Sequence, residues 1–198
     1  SILLIGTLLS FTSFHKQNDD RFIFRIVDLQ KEELKLYWKN DKGEILNNFE
    51  NLKTFVEGKQ KILVFAMNAG MYKKDYSPQG LYVDNQKILN QLDVSKGGDG
   101  NFYLKPNGIF FITTSNVGKV CQTTDFLDNG KIKYATQSGP MLVIDGKIHP
   151  ELKEGSKNVN IRNGVGILPG NRSIFGISKV EVNLYDLAHY FKIGRENV

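Results

Sequence analysis

The chain has 198 residues, 40% of them hydrophobic and 24% charged, with a formal net charge of +5. These values are ordinary for one globular domain with a real core. The lysines are scattered without a run of five like charges, so a nucleic-acid arm is not indicated, and the single cysteine, Cys121, excludes an internal disulfide framework.

In chain order, Ser1 to Phe14 is apolar and free of charge and is followed by a polar "HKQNDDR". The apolar part is too short for a stable membrane span and fits the hydrophobic region of a secretory signal. Residues 1–18 are therefore expected to be a leader and the protein to be exported, periplasmic or extracellular; a buried N-terminal strand or helix is the alternative. From Arg21 the pattern turns to strands. "RFIFRIVDL" and "LKLYWKN" around "QKEE" predict an opening hairpin. Phe49, Leu52, Phe55 and Val56 recur at helical spacing before Gly58. "KILVFAMNAGMY" starts as a continuous apolar run, as a central strand does. "GLYVDNQKIL", "MLVIDGKIH" and "GILPGNRSIF" each join an apolar strand to a turn and a second strand, and "NFYLKPNGIFFIT" predicts a fourth hairpin about Pro106-Asn107-Gly108. Thr124 to Asn129 suits a short helical turn. In "NLYDLAHYF", Asn183 is a helix cap with Asp186 three residues on, a variant of the capping box. The expected architecture is a single α+β domain, mainly antiparallel β-hairpins forming a sheet with a few flanking helices.

Three of these units are entered through unusual residues. "MNAGMY", "QSGPMLV" and "IRNGVGIL" each set an amide or Arg beside a Gly at a strand end. Glycine lets another group approach the backbone closely. Asn68, Gln137, Ser138, Arg162 and Asn163 offer donors for an anion or for hydroxyls. β-Bulges and self-satisfied turns are the plainer explanation for each motif alone. Three together predict a polar pocket formed by converging strand ends.

In order and combination, "FAMNAGMY" (65–72), "SPQGLYVDNQKILN" (77–90), "GNFYLKPNGIFFI" (100–112), "ATQSGPMLVIDGKIHP" (135–150), "RNGVGI" (162–167) and "NLYDLAHYF" resemble the phosphodiester glycosidase family. That family includes the catalytic domain of the mannose 6-phosphate uncovering enzyme, and the closer likeness is to its small exported bacterial members. The resemblance implies an α+β domain with a polar cleft that hydrolyses the glycosidic bond of a sugar 1-phosphodiester or related envelope glycan. Its motifs map onto Asn68 and Gly70, Gln79 and Gly80, Gln137 to Pro140 (Ser138 and Gly139 between them), and Arg162 to Gly164. Family members usually continue past the last helix into a strand ending in Asp-Gly, whereas this chain stops at "KIGRENV". The resemblance thus implies that the domain, residues 21–198, either is truncated at its C-terminus, with a core strand and a carboxylate missing, or has an end that has diverged.

For such chemistry Arg162 is the natural phosphate fork, since a guanidinium meets two phosphate oxygens at once; a structural salt bridge is its alternative. Backbone N–H groups at Gly70 and Gly139 could add anion contacts. Glycosidases usually need a carboxylate pair, and no obvious pair is present. Asp99, in a Gly-rich loop, is preferred over the turn-like Asp84, Asp128 and Asp145. His149, in "KIHP", is a candidate acid or base, or a turn residue. Lys105 and Asn107 could touch a phosphate or hydroxyl and Phe102 or Tyr103 a sugar ring, unless they only build a hairpin. No zinc spacing, P-loop or dinucleotide fingerprint is present, so no metal or cofactor is implied. The expected partner is a small or polymeric sugar phosphodiester rather than nucleic acid. A non-catalytic module binding anionic envelope polysaccharide through the same cleft is the alternative.

Overall fold

The computed structural model describes residues 19–196; the reading of residues 1–18 as a leader lies outside the described residues. Three of the predicted turns fix the hairpins. β2 (Tyr82–Asp84) and β3 (Lys87–Asn90) are joined by Asn85 and Gln86 at φ 45° and 67°. β7 (Val143–Ile144) and β8 (Lys147–Ile148) are joined by Asp145 and Gly146 at φ 50° and 75°. β9 (Asn163–Leu168) meets β10 (Arg172–Ser178) through Gly170 and Asn171 at φ 73° and 60°. Positive φ at two successive turn residues matches the right-handed twist of the strands they connect.

The remaining strands are β1 (Phe22–Asp28), β4 (Gly108–Thr113), β5 (Gly118–Gln122) and β6 (Ile132–Ser138). They form a three-stranded sheet, β1-β10-β9, a five-stranded sheet, β3-β2-β6-β4-β5, and the small β7-β8 ribbon, with every pairing antiparallel. With helices α1 (Phe49–Glu57) and α2 (Leu184–Glu196), this is an α+β fold dominated by strands. Val27, Tyr82, Phe110, Tyr134 and Phe175 pack the two larger sheets together. Leu81, Val83, Ile109 and Ala135 form a second cluster, against which Cys121 packs as a small hydrophobe, its thiol pushed up by burial. Leu187 of α2 closes a third with Phe22 and Val182.

Both helices start as their caps dictate. Asn48 Oδ1 accepts from Asn51 N at 2.8 Å, and Asn183 Oδ1 accepts from Asp186 N at 2.9 Å. The Asp186 carboxylate does not turn back to close a capping box; it accepts instead from Arg21 at 2.9 Å, tying α2 to the start of β1.

Three sequence expectations are corrected. The opening hairpin does not form: β1 pairs with β10, and residues 34–40 make only an isolated bridge at Lys39. β10 alternates in register with β1 along its full length, and that long-range partner outcompetes the local one. "NFYLKPNG" is not a hairpin either. Asn101–Tyr103 is a 3-10 turn, and β4 pairs with β5 and β6. Finally, the apolar run from Lys61 is extended but joins no sheet among the described residues. Phe65 and Met67 pack on the inter-sheet core, whereas Ile62 and Val64 remain 83% and 75% exposed.

Candidate functional site

The polar strand ends meet where the two larger sheets come together. β6 finishes at Ser138, which pairs with Gly108 of β4. The 61–71 segment crosses this end so closely that a Cβ on Gly70 would overlap Thr136 Oγ1 and the Gln137 carbonyl. Only a residue without a side chain fits there. From the other sheet, Asn163 at the start of β9 donates its Nδ2 to the Asn68 carbonyl at 2.7 Å. Asn68, Gly70, Ser138, Gly139, Pro140, Asn163 and Gly164 therefore share the wall of one cavity of about 1370 Å3. Asn68 is exposed and Ser138 half-buried, and among the described residues neither side chain has a hydrogen-bond partner. The rest of the wall is largely apolar, with Phe110 and Phe175 below and Leu142 beside the glycines.

Other predicted site residues hold the scaffold instead. Gln137 is fully buried. Its Oε1 accepts from Leu81 N at 2.9 Å and from Asp93 N at 3.0 Å, while its Nε2 donates to the Asp93 carbonyl at 2.7 Å and to Thr123 Oγ1 at 3.2 Å. All four hydrogen-bonding positions of the carboxamide are taken. Gly80, at φ 76°, lets the chain pass against that same carboxamide. Gln79 is half-buried, with its backbone N–H donated to Met71 O at 2.9 Å. Asn107 is 1% exposed and donates to Phe102 O at 3.1 Å. His149 is also 1% exposed: Glu151 N donates to its Nδ1 at 3.1 Å, so its Nε2–H donates to Lys105 O at 3.0 Å. Neither ring nitrogen is left for substrate, which corrects the acid–base expectation for His149. The substrate-contact expectation for Gln137 is corrected for the same reason, and that for Asn107 by its burial.

Arg162 stands next to Asn163 but is not part of the cavity wall. One terminal nitrogen donates to Asn158 O and Oδ1 at 3.2 and 3.0 Å, and its buried Nε has no partner. Burial pulls the guanidinium below its ordinary pKa, and no carboxylate pairs with it among the described residues. The structural salt bridge given as its alternative is thus absent among the described residues. Asp99 and Lys105 are exposed and lie outside the cavity wall. Phe102 is 1% exposed, closing its ring to a sugar.

Carboxylates at the cavity margin come from elsewhere. Glu33 binds Lys61 and Lys35, whose hydrogen bonds hold its carboxyl below the usual range. Asp145 projects from the β7–β8 turn, and Asp125 follows β5. Among the described residues no group of three His, Cys, Asp or Glu is placed to hold a metal, and no helix is long and apolar enough to cross a membrane. Two exposed lining tyrosines were given no role in the sequence reading. Tyr72 and Tyr76 are 53% and 51% exposed at the cavity. They were hidden because a Tyr in a strand or turn motif reads as core, and only their exposure distinguishes them.

The fold and cavity define a class: an antiparallel α+β domain whose glycine-rich strand ends surround one mixed polar and apolar hollow. The chain belongs to the phosphodiester glycosidase family, whose match runs over residues 61–197. It is also 34% identical over 166 residues to YigE, an uncharacterized protein of Escherichia coli (strain K12). That similarity covers 84% of this chain and 64% of the relative, so the chain spans less than two thirds of the relative's length.

Proposed function

We propose that the protein hydrolyses the glycosidic bond of a sugar 1-phosphodiester. Family membership supports a glycosidase-like role. The observation that carries the reading is the convergence of Asn68, Ser138 and Asn163 with three glycines on one cavity wall. Unengaged amide and hydroxyl donors beside bare backbone suit a ligand that is part sugar hydroxyl and part phosphate oxygen. In the reaction the anomeric C–O bond breaks. The phosphomonoester leaves with the bridging oxygen and the bonding electron pair, and a water oxygen bonds to the anomeric carbon. The proton lost from that water is taken up by the departing phosphate or by solvent. A phosphate leaving group carries its own negative charge well, so proton donation to it is less demanding than for an alkyl glycoside. The wholly engaged His149 is compatible with that.

The test is release of free sugar from a chromogenic sugar 1-phosphodiester by the purified chain. Activity should fall by about 100-fold or more in Asn68→Ala if its amide stabilises charge in the transition state, with the melting temperature unchanged. No release from any phosphodiester tried overturns the hydrolase reading. A second reading, a non-catalytic module for anionic envelope polysaccharide, is favoured by two observations: Asp99 lies outside the cavity wall, and Glu33 is held by two lysines. Binding without turnover would select it. Export is part of the proposal, supported by the uncharged apolar composition of residues 1–14. Recovery of the protein only in the cytoplasmic fraction of its host would overturn it.

A further inference from the structure

Tyr72 and Tyr76 stack on one another at the cavity with ring centroids 6.0 Å apart and planes inclined by 22°. Each is about half exposed, and among the described residues neither phenol oxygen has a hydrogen-bond partner. Burial of an exposed aromatic pair normally awaits a contact. The short loop that carries them is held firmly. Tyr72 bridges to Pro78, Lys73 N donates to Ser77 O at 2.9 Å, and Tyr76 N donates to Lys73 O at 2.9 Å. Asp75 Oδ1 accepts from Ser77 N and Oγ at 3.0 and 2.6 Å, and these bonds hold its carboxyl below the usual range.

The backbone of Tyr76 adds a second, independent sign. Its φ is 60°, in the left-handed region. The other non-glycine residues with positive φ among the described residues are Asn, Asp or Gln. Asn and Asp tolerate that conformation, whereas a bulky aromatic is strained in it. Strain of this kind persists where the side chain's position matters for function. Here it sets the ring beside that of Tyr72, and both share the cavity wall with the unengaged Asn68 amide and Ser138 hydroxyl.

We propose that Tyr72 and Tyr76 form an aromatic platform on which the pyranose ring of the substrate stacks. A pyranose pairs an apolar C–H face with a rim of hydroxyls. The platform offers an apolar face, while its phenol groups, Asn68 and Ser138 offer hydrogen bonds to the rim. This subsite rests on the phosphodiester glycosidase reading, since it places the sugar rather than the phosphate. Its residues are specificity determinants that touch substrate and take no part in bond cleavage.

The experiment has two arms on the same proteins. Saturation-transfer NMR with a panel of methyl pyranosides, and with a free nucleoside as the flat-ring control, reads binding. Steady-state hydrolysis of a sugar 1-phosphodiester reads KM and kcat. Tyr72→Ala and Tyr76→Ala are each expected to weaken pyranoside binding and raise KM about tenfold through loss of ring burial, with kcat little changed. The Phe variants should retain most of the binding. Tyr76→Gly separates platform from scaffold: relief of the positive φ raises the melting temperature while sugar binding is lost. Turnover by the wild type with unchanged KM in both alanine variants overturns the platform and leaves the hydrolase reading standing. Pyranoside binding that the alanine variants lose, without turnover by the wild type, keeps the platform and removes the hydrolase reading. Binding of the nucleoside alone, or of no pyranoside, overturns the platform.

Discussion

Gln137 shows how a side chain suited to a substrate serves the fold. It lies on the central strand of the larger sheet, where its carboxamide bonds β2's approach at Leu81, the loop at Asp93 and the Thr123 hydroxyl. Its removal would strand the buried Leu81 N–H and the partly buried Asp93 N–H. Each unsatisfied donor costs about 1–3 kcal/mol, so Gln137→Leu is expected to lower unfolding stability by about 2–5 kcal/mol, measured by urea denaturation. If a variant no less stable than wild type emerged, the holding role would be wrong. Asn68 is the opposite case: exposed, with its side chain unengaged and only its carbonyl used, by Asn163. The two amides look alike in sequence, each within two residues of a glycine. What separates them is which strand end passes over which, and that no local motif encodes.

Among the elements, α2 carries consequences beyond its own stability. Phe191 packs so near β9 that a Cβ on Gly164 would lie 2.9 Å from its ring. The helix thereby backs the strand end that presents Asn163. Its beginning depends on the Asn183 cap and on the Arg21–Asp186 pair. Arg21 also binds Asp19, whose carboxyl that hydrogen bond holds below the usual range. The pair is partly exposed, and salt screens it, so the cap is the stronger lever. Asn183→Ala should cost about 1 kcal/mol, read as a drop in melting temperature. Since α2 and β9 are packed together, that loosening should also speed amide hydrogen exchange in β9 but not in β5. Equal acceleration in both strands would show that the helix does not specifically support the site.

Over the whole molecule, one apolar run lies on the inter-sheet core without joining either larger sheet among the described residues. The extended run from Lys61 turns Phe65 and Met67 inward and Ile62 and Val64 outward, without a neighbouring strand among the described residues. Uncovered strand-like backbone with an apolar outer row favours edge-to-edge association. The chain is therefore expected to self-associate as concentration rises. Ile62→Lys and Val64→Lys should suppress this, seen by light scattering, without lowering the melting temperature. Concentration-independent monomers of the wild type would contradict it.

Turn chemistry and alternation in the amino-acid sequence determined the strand-rich α+β class, the β2–β3, β7–β8 and β9–β10 hairpins and the Asn183 cap of α2. Those features rest on φ preferences and hydrogen bonds between near neighbours, so a short stretch contains their causes. Pairings between distant segments were decided only in three dimensions. β1 found β10 rather than its neighbour in sequence, and the apolar run at residue 61 joined no strand among the described residues. The candidate site divides along the same line. Glycine-flanked amides announced a polar hollow, but only the packed chain assigned Gln137, Asn107 and His149 to the scaffold, left Arg162 off the cavity wall and brought the exposed Tyr72 and Tyr76 to it. Donor capacity belongs to a residue type, whereas whether a donor is spent on the protein or left for a ligand depends on which chain segments pack around it.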